Sequence, residues 1–234
     1  MVLCLGAAAQ AMGFGAEPSM DSAPAAVAPA TPDTTSVPQT KLRITASIGM
    51  GYIYSASQDG NSSLKKLADD LRAGRDLQIS GSVMVNRNIG VGVVYSDFSS
   101  SATGSVDGYN SAYQVVQVGL SADCNVDFLG VIASTRTAVS GVGFHGAVAL
   151  GRTSYENTAK ATYNGQSSTA TGSGTGLGFF YLVGLEAYLM PRVALAIDVN
   201  GLRSTVECSV KGSNENVKND VSRIGASAGL HFYL

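Results

Sequence analysis

The sequence predicts an all-β chain, an eight-stranded antiparallel up-and-down β-barrel whose outer surface meets lipid. Three observations predict it. Apolar residues alternate with small or polar ones at a period of two through most of the chain beyond residue 41, the pattern of strands with two unlike faces. The alternating runs cover about 10 to 14 residues; ordinary globular strands average about 5–6, while a tilted strand needs roughly 9–11 to cross a bilayer. The less apolar face is made of Gly, Ala, Ser and Thr, where a water-facing sheet would carry Lys and Glu.

Composition agrees. Charged residues are 14% of the 234, and glycines number 28; soluble domains carry about a quarter charged residues. The net charge of −2 gives no electrostatic footprint for nucleic acid. The mean hydropathy of +0.16 is too low for a bundle of membrane helices. It suits a barrel, in which only alternate residues face lipid.

Taken in order, the chain opens on the apolar run Val2 to Ala9, followed by Ala9-Gln10-Ala11. That is an A-x-A cleavage pattern, so residues 1–16 read as a signal peptide. No Lys or Arg precedes the run, which points to a leader truncated at its basic end. Residues 17–41 read as a disordered linker, since five of the six prolines (Pro18, Pro24, Pro29, Pro32 and Pro38) fall there among Ala, Ser and Thr. The barrel is expected over residues 42–234.

The first strand sets Leu42, Ile44, Ala46, Ile48, Met50, Tyr52 and Tyr54 against Arg43, Thr45, Ser47, Gly49 and Gly51. The second carries Leu77, Ile79, Val83 and Val85 on one face. Asn86-Arg87-Asn88 turns the chain into a third strand with Ile89, Val91, Val93 and Tyr95 outward. A fourth is read at about Ser111 to Asp123 with Val116, Val118 and Leu120 on the apolar face. A fifth covers about Val139 to Gly151. The sixth carries Phe179, Tyr181, Val183 and Leu185, and Met190-Pro191-Arg192 turns it into a seventh. The eighth sets Ile224, Ala226, Ala228, Leu230, Phe232 and Leu234 against Arg223, Ser227, His231 and Tyr233, and should close on the first.

The large apolar side chains should face lipid, because small residues suit the narrow lumen of eight strands and lipid offers no partner to an open edge. With the first strand rising from the periplasm, the periplasmic turns are Asn86 to Asn88, about Asp123 to Ala138, and Met190 to Arg192. The outer loops are about Ala56 to Gly74, Ser99 to Asn110, Arg152 to Gly174 and Ser204 to Asp220. Within the first of these, Leu64, Leu67, Ala68 and Leu71 have the spacing of a short amphipathic rim helix. Tyr52, Tyr54, Tyr95, Phe179, Tyr181 and Phe232 read as membrane-interface girdles. Arg43, Asp76, Gln78, Gln117, Glu186, Asp198, Arg223 and His231 are assigned to the lumen, where buried charges must pair or hold water. Arg43 and His231 are expected beside Glu186 or Asp198.

Two features resemble the superfamily of small outer-membrane barrels related to OmpA and OmpX, over about residues 42 to 234. One is the hairpin from Leu182 to Leu195, with its short Met190-Pro191-Arg192 turn and an acidic residue, Glu186, in the descending arm. The other is the alternating C-terminal strand ending Phe232-Tyr233-Leu234. In that family the last strand is the signal read by the assembly machinery, and usually ends in Phe or Trp; here it ends in Leu. The resemblance implies residence in the outer membrane, with its lipid and the assembly machinery as partners and a host or cell-surface ligand at the outer loops. It implies no peptidoglycan-binding domain.

Nothing in the sequence makes an enzyme. An envelope hydrolase would need a Ser–His–acid set facing lipid or a His–Asp couple at the outer rim, whereas His145 and His231 both fall on the lumenal register. Gly172 to Gly176 lacks the Gly-Lys-Ser/Thr ending of a phosphate loop. Cys124 and Cys208 have no zinc spacing and are expected at opposite ends of the barrel, unbridged; neither His has a partner three or four residues away, so no metal or cofactor is expected. The expected function is a structural or surface-interaction barrel with a plugged lumen. The alternatives are a narrow porin-like channel and, more weakly, an envelope hydrolase.

Overall fold

The alternation of the sequence becomes one sheet that closes on itself. The computed structural model describes residues 41–54, 62–109, 113–139, 141–210 and 216–234. The leader and nearly all of the linker read from the sequence lie outside the described residues. Strand β1 spans Leu42–Ile53, helix α1 Ser62–Asp70, β2 Ala73–Met84, β3 Ile89–Tyr109, β4 Val115–Val139, β5 Val142–Tyr163, β6 Gln166–Met190, β7 Val193–Val210, β8 Asn216–Asp220 and β9 Arg223–Tyr233. Neighbours in sequence pair antiparallel. β8 and β9 are two parts of one arm, interrupted at Val221 and Ser222, and both pair with β7. β9 then pairs with β1, which makes an eight-strand ring. Leu234 accepts from the Leu42 N–H and donates to the Leu42 carbonyl, so the last residue seals the seam.

The register fixes the barrel's shape. Paired residues followed once round the ring from Tyr52 pass through Ile224, Gly201, Tyr181, Val148, Ala133, Val91 and Val83, and return at Leu42, ten residues back on the same strand. That stagger, at about 3.3 Å per residue along the strands and about 4.8 Å between them, tilts the strands by roughly 40°, within the usual range for barrels.

The turns obey their sequences. The Asn86 side chain accepts from the backbone N–H of Asn88 and Ile89, both at 2.8 Å, an Asx turn that reverses the chain between β2 and β3. Val139 pairs directly with Val142, and Gly141 takes φ +87° in the tight connection between β4 and β5, a left-handed conformation suited to glycine.

That last turn corrects the reading of the fourth strand. The segment from Asp123 to Ala138 is not a periplasmic turn but strand: β4 runs unbroken through it, its part from Phe128 onward crosses the membrane, and the segment read as the strand, Ser111 to Asp123, lies beyond the membrane. The segments read as outer loops at Ser99 to Asn110, Arg152 to Gly174 and Ser204 to Asp220 are largely strand as well, because β3 to β7 run for 18 to 25 residues. Within the first loop, α1 packs on the outer part of β3, and Ser100 Oγ donates to the Leu71 carbonyl at 2.6 Å. Residues 55–61 of that loop lie outside the described residues. Among the described residues no helix is long and apolar enough to cross a membrane.

Candidate functional site

The outer surface changes character part-way up every long strand. Ile44, Ile48, Met50 and Tyr52 of β1 are exposed, as are Val91, Val93 and Tyr95 of β3, Leu129 and Val131 of β4, Phe144, Val148 and Leu150 of β5, and Val183 and Leu185 of β6. Further along the same outward positions come Asp97, Asp127, Arg152, Thr175 and Arg203. The ten-residue stagger spread over eight strands displaces each neighbour by a little over one residue. With that allowed for, Arg75, Asp97, Asp127, Arg152 and Arg203 lie at a similar height. The apolar belt beneath them, Ile44 to Tyr52 on β1, is about 20–25 Å tall at the rise and tilt above, close to the height of an outer-membrane belt.

Tyr52, Tyr54, Tyr95 and Phe179 are exposed near the upper edge of this belt, and Tyr95 Oη donates to Asp127 Oδ1 at 2.8 Å. Tyr181 also points outward but is half-buried, because it lies across Gly201: a Cβ at Gly201 would come within 2.3 Å of the Tyr181 ring. Phe232 lies near the periplasmic end, and Phe144, which the sequence reading did not single out, is at a similar height.

Inside, the lumen is filled in two tiers. In the periplasmic half, Arg43, His145, Glu186, Asp198 and His231 are all buried. Glu186 gathers most of the contacts. Its Oε1 accepts from Tyr188 Oη at 2.8 Å and its Oε2 accepts from Tyr233 Oη. His231 Nδ1 lies 2.8 Å from Oε2, and Arg43 Nη2 lies 4.0 Å from it. Arg43 Nη2 is also 3.0 Å from His231 Nδ1. Arg136 caps this group with its guanidinium 4.4 Å from the Tyr233 ring centre. Across the lumen His145 Nε2 meets Asp198 Oδ1 at 2.6 Å. These two flank Gly184 on one row of the sheet. A Cβ there would lie 2.1 Å from Asp198 Oδ1 and 2.8 Å from His145 Cε1, so the pair depends on glycine's missing side chain.

At the level of the charged ring outside, the lumen holds a second ion pair and an apolar stack. Arg223 Nη1 binds Asp76 Oδ1 at 2.6 Å, both fully buried. Gln78 Nε2 donates to Asp76 Oδ2 at 3.3 Å, and Ser96 Oγ to Asp76 Oδ1 at 3.2 Å. Arg223 also lies over the Phe98 ring, 5.6 Å from its centre. Beside it Phe128 and Phe180 stack at 5.7 Å, with Leu202, Val126 and Val206 fully buried around them.

Among the residues assigned to the lumen from sequence, Arg43, Asp76, Gln78, Glu186, Asp198, Arg223 and His231 thus lie inside, in two separate groups. Gln117 is a correction: it is exposed and outward, paired with Asp107 beyond the membrane level. Val116, Val118 and Leu120, read as lipid-facing, sit on the inward register and are half-buried. Both errors have one cause. Once a strand leaves lipid for water its apolar side becomes the inner one, so the alternation inverts in phase. The same inversion places Phe98, Phe128 and Phe180 inside, where small residues were expected. Arg136, Tyr188 and Tyr233 were missed, although each falls on the inward register of its strand.

Cys124 and Cys208 are not at opposite ends. Both are buried and free at the outer end, on β4 and β7, and both belong to the apolar cluster there. Three strand spacings of about 4.8 Å separate them, well beyond the roughly 4.4–6.8 Å that a disulfide needs between Cα atoms. Burial pushes the Cys124 thiol up to about 11 and the Tyr155 phenol up to about 12.

Comparison with solved structures finds this same architecture. The outer membrane protein OprG from Pseudomonas aeruginosa is 13% identical, with a TM-score of 0.51 over 83% of this chain and 96% of that one. The fold is that of a small outer-membrane β-barrel. Neisserial surface protein A matches with 17% identity and a TM-score of 0.47 over 83% of this chain and 98% of its own. Ail of Yersinia pestis, solved with the heparin analogue sucrose octasulfate, matches with 18% identity and a TM-score of 0.42 over 82% and 99%. No family model matches the sequence, and no curated protein matches it. The lipid-facing belt on this barrel is what residence in an outer membrane requires.

Proposed function

We propose that this barrel is a membrane-anchored scaffold that carries a rigid β-sheet platform outside the cell and conducts nothing through its lumen. The observation that supports it best is the two-tier filling: a buried ionic group at the periplasmic end and a buried aromatic stack above it, with Phe98, Phe128, Phe180 and Leu202 all at 0% exposure. The lumenal charges then serve structure, each offset by a partner, as burial demands. The aromatic residues at the belt edges serve as interface girdles, and the last strand is the segment that the assembly machinery reads. The lipid of the outer membrane is the barrel's first partner.

The platform is the outward continuation of β3 to β6, about 11–12 residues or roughly 35–40 Å of strand beyond the charged ring at the usual rise, with a shorter continuation of β7 to Val210 beside it. An open hollow of about 760 Å³ lies there, lined by Arg75, Asp97, Asn125, Asp127, Glu156 and Glu207 among others. Four carboxylates against one guanidinium select against polyanions and favour neutral or cationic hydrogen-bonding partners, which is the chemistry proposed for a host or cell-surface ligand. Envelope hydrolysis finds no support in the His145–Asp198 couple, which is buried within the barrel and not at a surface.

Planar-bilayer recording tests the plug. The unmodified protein should give no discrete channels, and Glu186→Ala should lose heat stability without gaining current. Regular single-channel steps in the unmodified protein, enlarged in Glu186→Ala, would instead establish the narrow pore.

A further inference from the structure

The chain contains two histidines. They come from β5 and β9, yet their rings meet edge to face with centres 4.7 Å apart. Asp198 completes the group: one ligand atom each from His145, Asp198 and His231 lie within 4.8 Å of one another, all three residues buried. We propose that these three side chains form a binding site for a single divalent transition-metal ion of the zinc type, inside the lumen. This goes beyond the plugged-scaffold reading and does not depend on whether the lumen conducts.

The chemistry of the set favours zinc over calcium or magnesium. Two imidazoles and one carboxylate are borderline donors, and a water or hydroxyl as the fourth makes a tetrahedral site. Tetrahedral bonds of about 2.0–2.2 Å separate ligand atoms by roughly 3.3 Å, so a spread of up to 4.8 Å closes by small side-chain rotations. The orientation of His231 is of the kind such sites use. Glu186 Oε2 lies 2.8 Å from its Nδ1; with the hydrogen on Nδ1 donated to that carboxylate, Nε2 presents its lone pair, as in carboxylate–histidine–metal arrangements.

Two further observations point to a ligand here. His145 Nδ1 is buried with no hydrogen-bond partner. A cavity of about 20 Å³ is lined by His145, Asp198, His231, Arg43, Thr45 and Gln78 among others; that is room for one water or one ion. The competing cation is Arg43, whose Nη2 is 3.0 Å from His231 Nδ1 and 3.5 Å from Nε2, so metal binding requires this guanidinium to move off the ring. Glu186 Oε2, 4.0 Å from Arg43 Nη2, is where a bound metal would send the guanidinium.

The site is enclosed, so the test supplies metal during refolding. The full chain is folded into detergent micelles with Zn²⁺, or with Co²⁺ as a spectroscopic probe, dialysed, and analysed for bound metal and for thermal unfolding with and without chelator. The expected result is about one ion per barrel, a tetrahedral Co²⁺ absorption band, and a higher melting temperature that chelation during refolding abolishes. His145→Gln and Asp198→Asn, which keep hydrogen-bonding groups in place, should each weaken binding at least about tenfold, and Glu186→Gln by about 10–100-fold through His231. Should a variant fail to fold, the Co²⁺ band and the chelator effect in the unmodified chain still decide. Folded protein with no bound metal and no chelator effect means that water alone fills the cavity, and overturns the proposal. Binding that survives His145→Gln and Asp198→Asn unchanged overturns it equally.

Discussion

The half of the barrel inside lipid and the half outside it are built from the same strands with opposite polarity. Below the level of Asp97 and Asp127, apolar side chains face outward and the interior holds Arg43, Glu186, Asp198 and two histidines. Above it, the outward positions carry Asn125, Ser154, Glu156, Ser173 and Glu207, and the interior holds Val126, Val206 and two cysteines, resting on the Phe128–Phe180 stack at the boundary. Each half puts its apolar face toward the less polar neighbour available: hydrocarbon in one, its own interior in the other. A single strand such as β4 therefore changes the phase of its alternation without a bulge or a break, simply by crossing from one solvent into another.

The largest effects should come from the two interiors. Glu186→Ala leaves Arg43, Tyr188, Tyr233 and His231 facing an empty buried site, and should lower unfolding stability by about 3–5 kcal/mol, as broken buried pairs do. Phe128→Ala, in the apolar stack on which the outer half rests, should cost a similar ~3–5 kcal/mol for a different reason, a cavity in an apolar core. Urea unfolding in lipid vesicles, followed by the mobility shift on a denaturing gel, measures both. The comparison sharpens if ionic strength or pH alters the Glu186 effect and leaves the Phe128 effect unchanged.

A smaller effect tests the outer surface of one strand on both sides of the boundary. Val183→Arg places a charge in the middle of the belt and should cost about 2–4 kcal/mol. Ser173→Arg, ten residues earlier on β6 and also outward, should change stability by less than about 0.5 kcal/mol. Equal costs at the two positions would break the comparison. Gly184→Ala comes next: its methyl group would press on Asp198 and His145 and should cost about 1–3 kcal/mol, while alanine at the outward Gly81, which has nothing within 4 Å of a built Cβ, should be near neutral. The smallest effect is chemical. With its thiol buried and raised to about 11, Cys124 should react with maleimide at pH 8 only after unfolding, and fast labelling of the folded barrel would show the outer interior open to water.

The barrel was legible wherever the alternation was strict. β1, β2, β6, β7 and β9 read directly, because lipid on one side and small residues on the other leave a strong period of two, and the turns at Asn86 and Pro191 punctuate it. β4 was misread because Asp123, Asn125 and Asp127 look like turn residues until their partners across β3 and β5 place them outward on a strand. The lumenal register could be followed in seven of the eight assigned residues. It misplaced Gln117 because the phase of a strand outside lipid is set by what it packs on, here the cluster of Val126, Phe128 and Cys208, and not by its own sequence. The meeting of His145 with His231 was not legible at all: their spacing carries no local signal, and only the closure of β9 onto β7 brings them together.

The change of phase along β4 is the claim on which the rest depends, and it can be read directly. In a background with Cys124 and Cys208 replaced by serine, single nitroxide labels at Ala133, Leu129, Asn125, Ser121 and Gln117 would be compared for accessibility to oxygen, which concentrates in lipid, and to a water-soluble nickel chelate. Labels at Ala133 and Leu129 should be reached by oxygen, with an abrupt change between Leu129 and Asn125 to access by the nickel chelate, which continues to Gln117. Oxygen access at Ser121 and Gln117 with nickel access at Leu129 and Ala133 would restore Asp123 to Ala138 as a periplasmic turn and contradict the account.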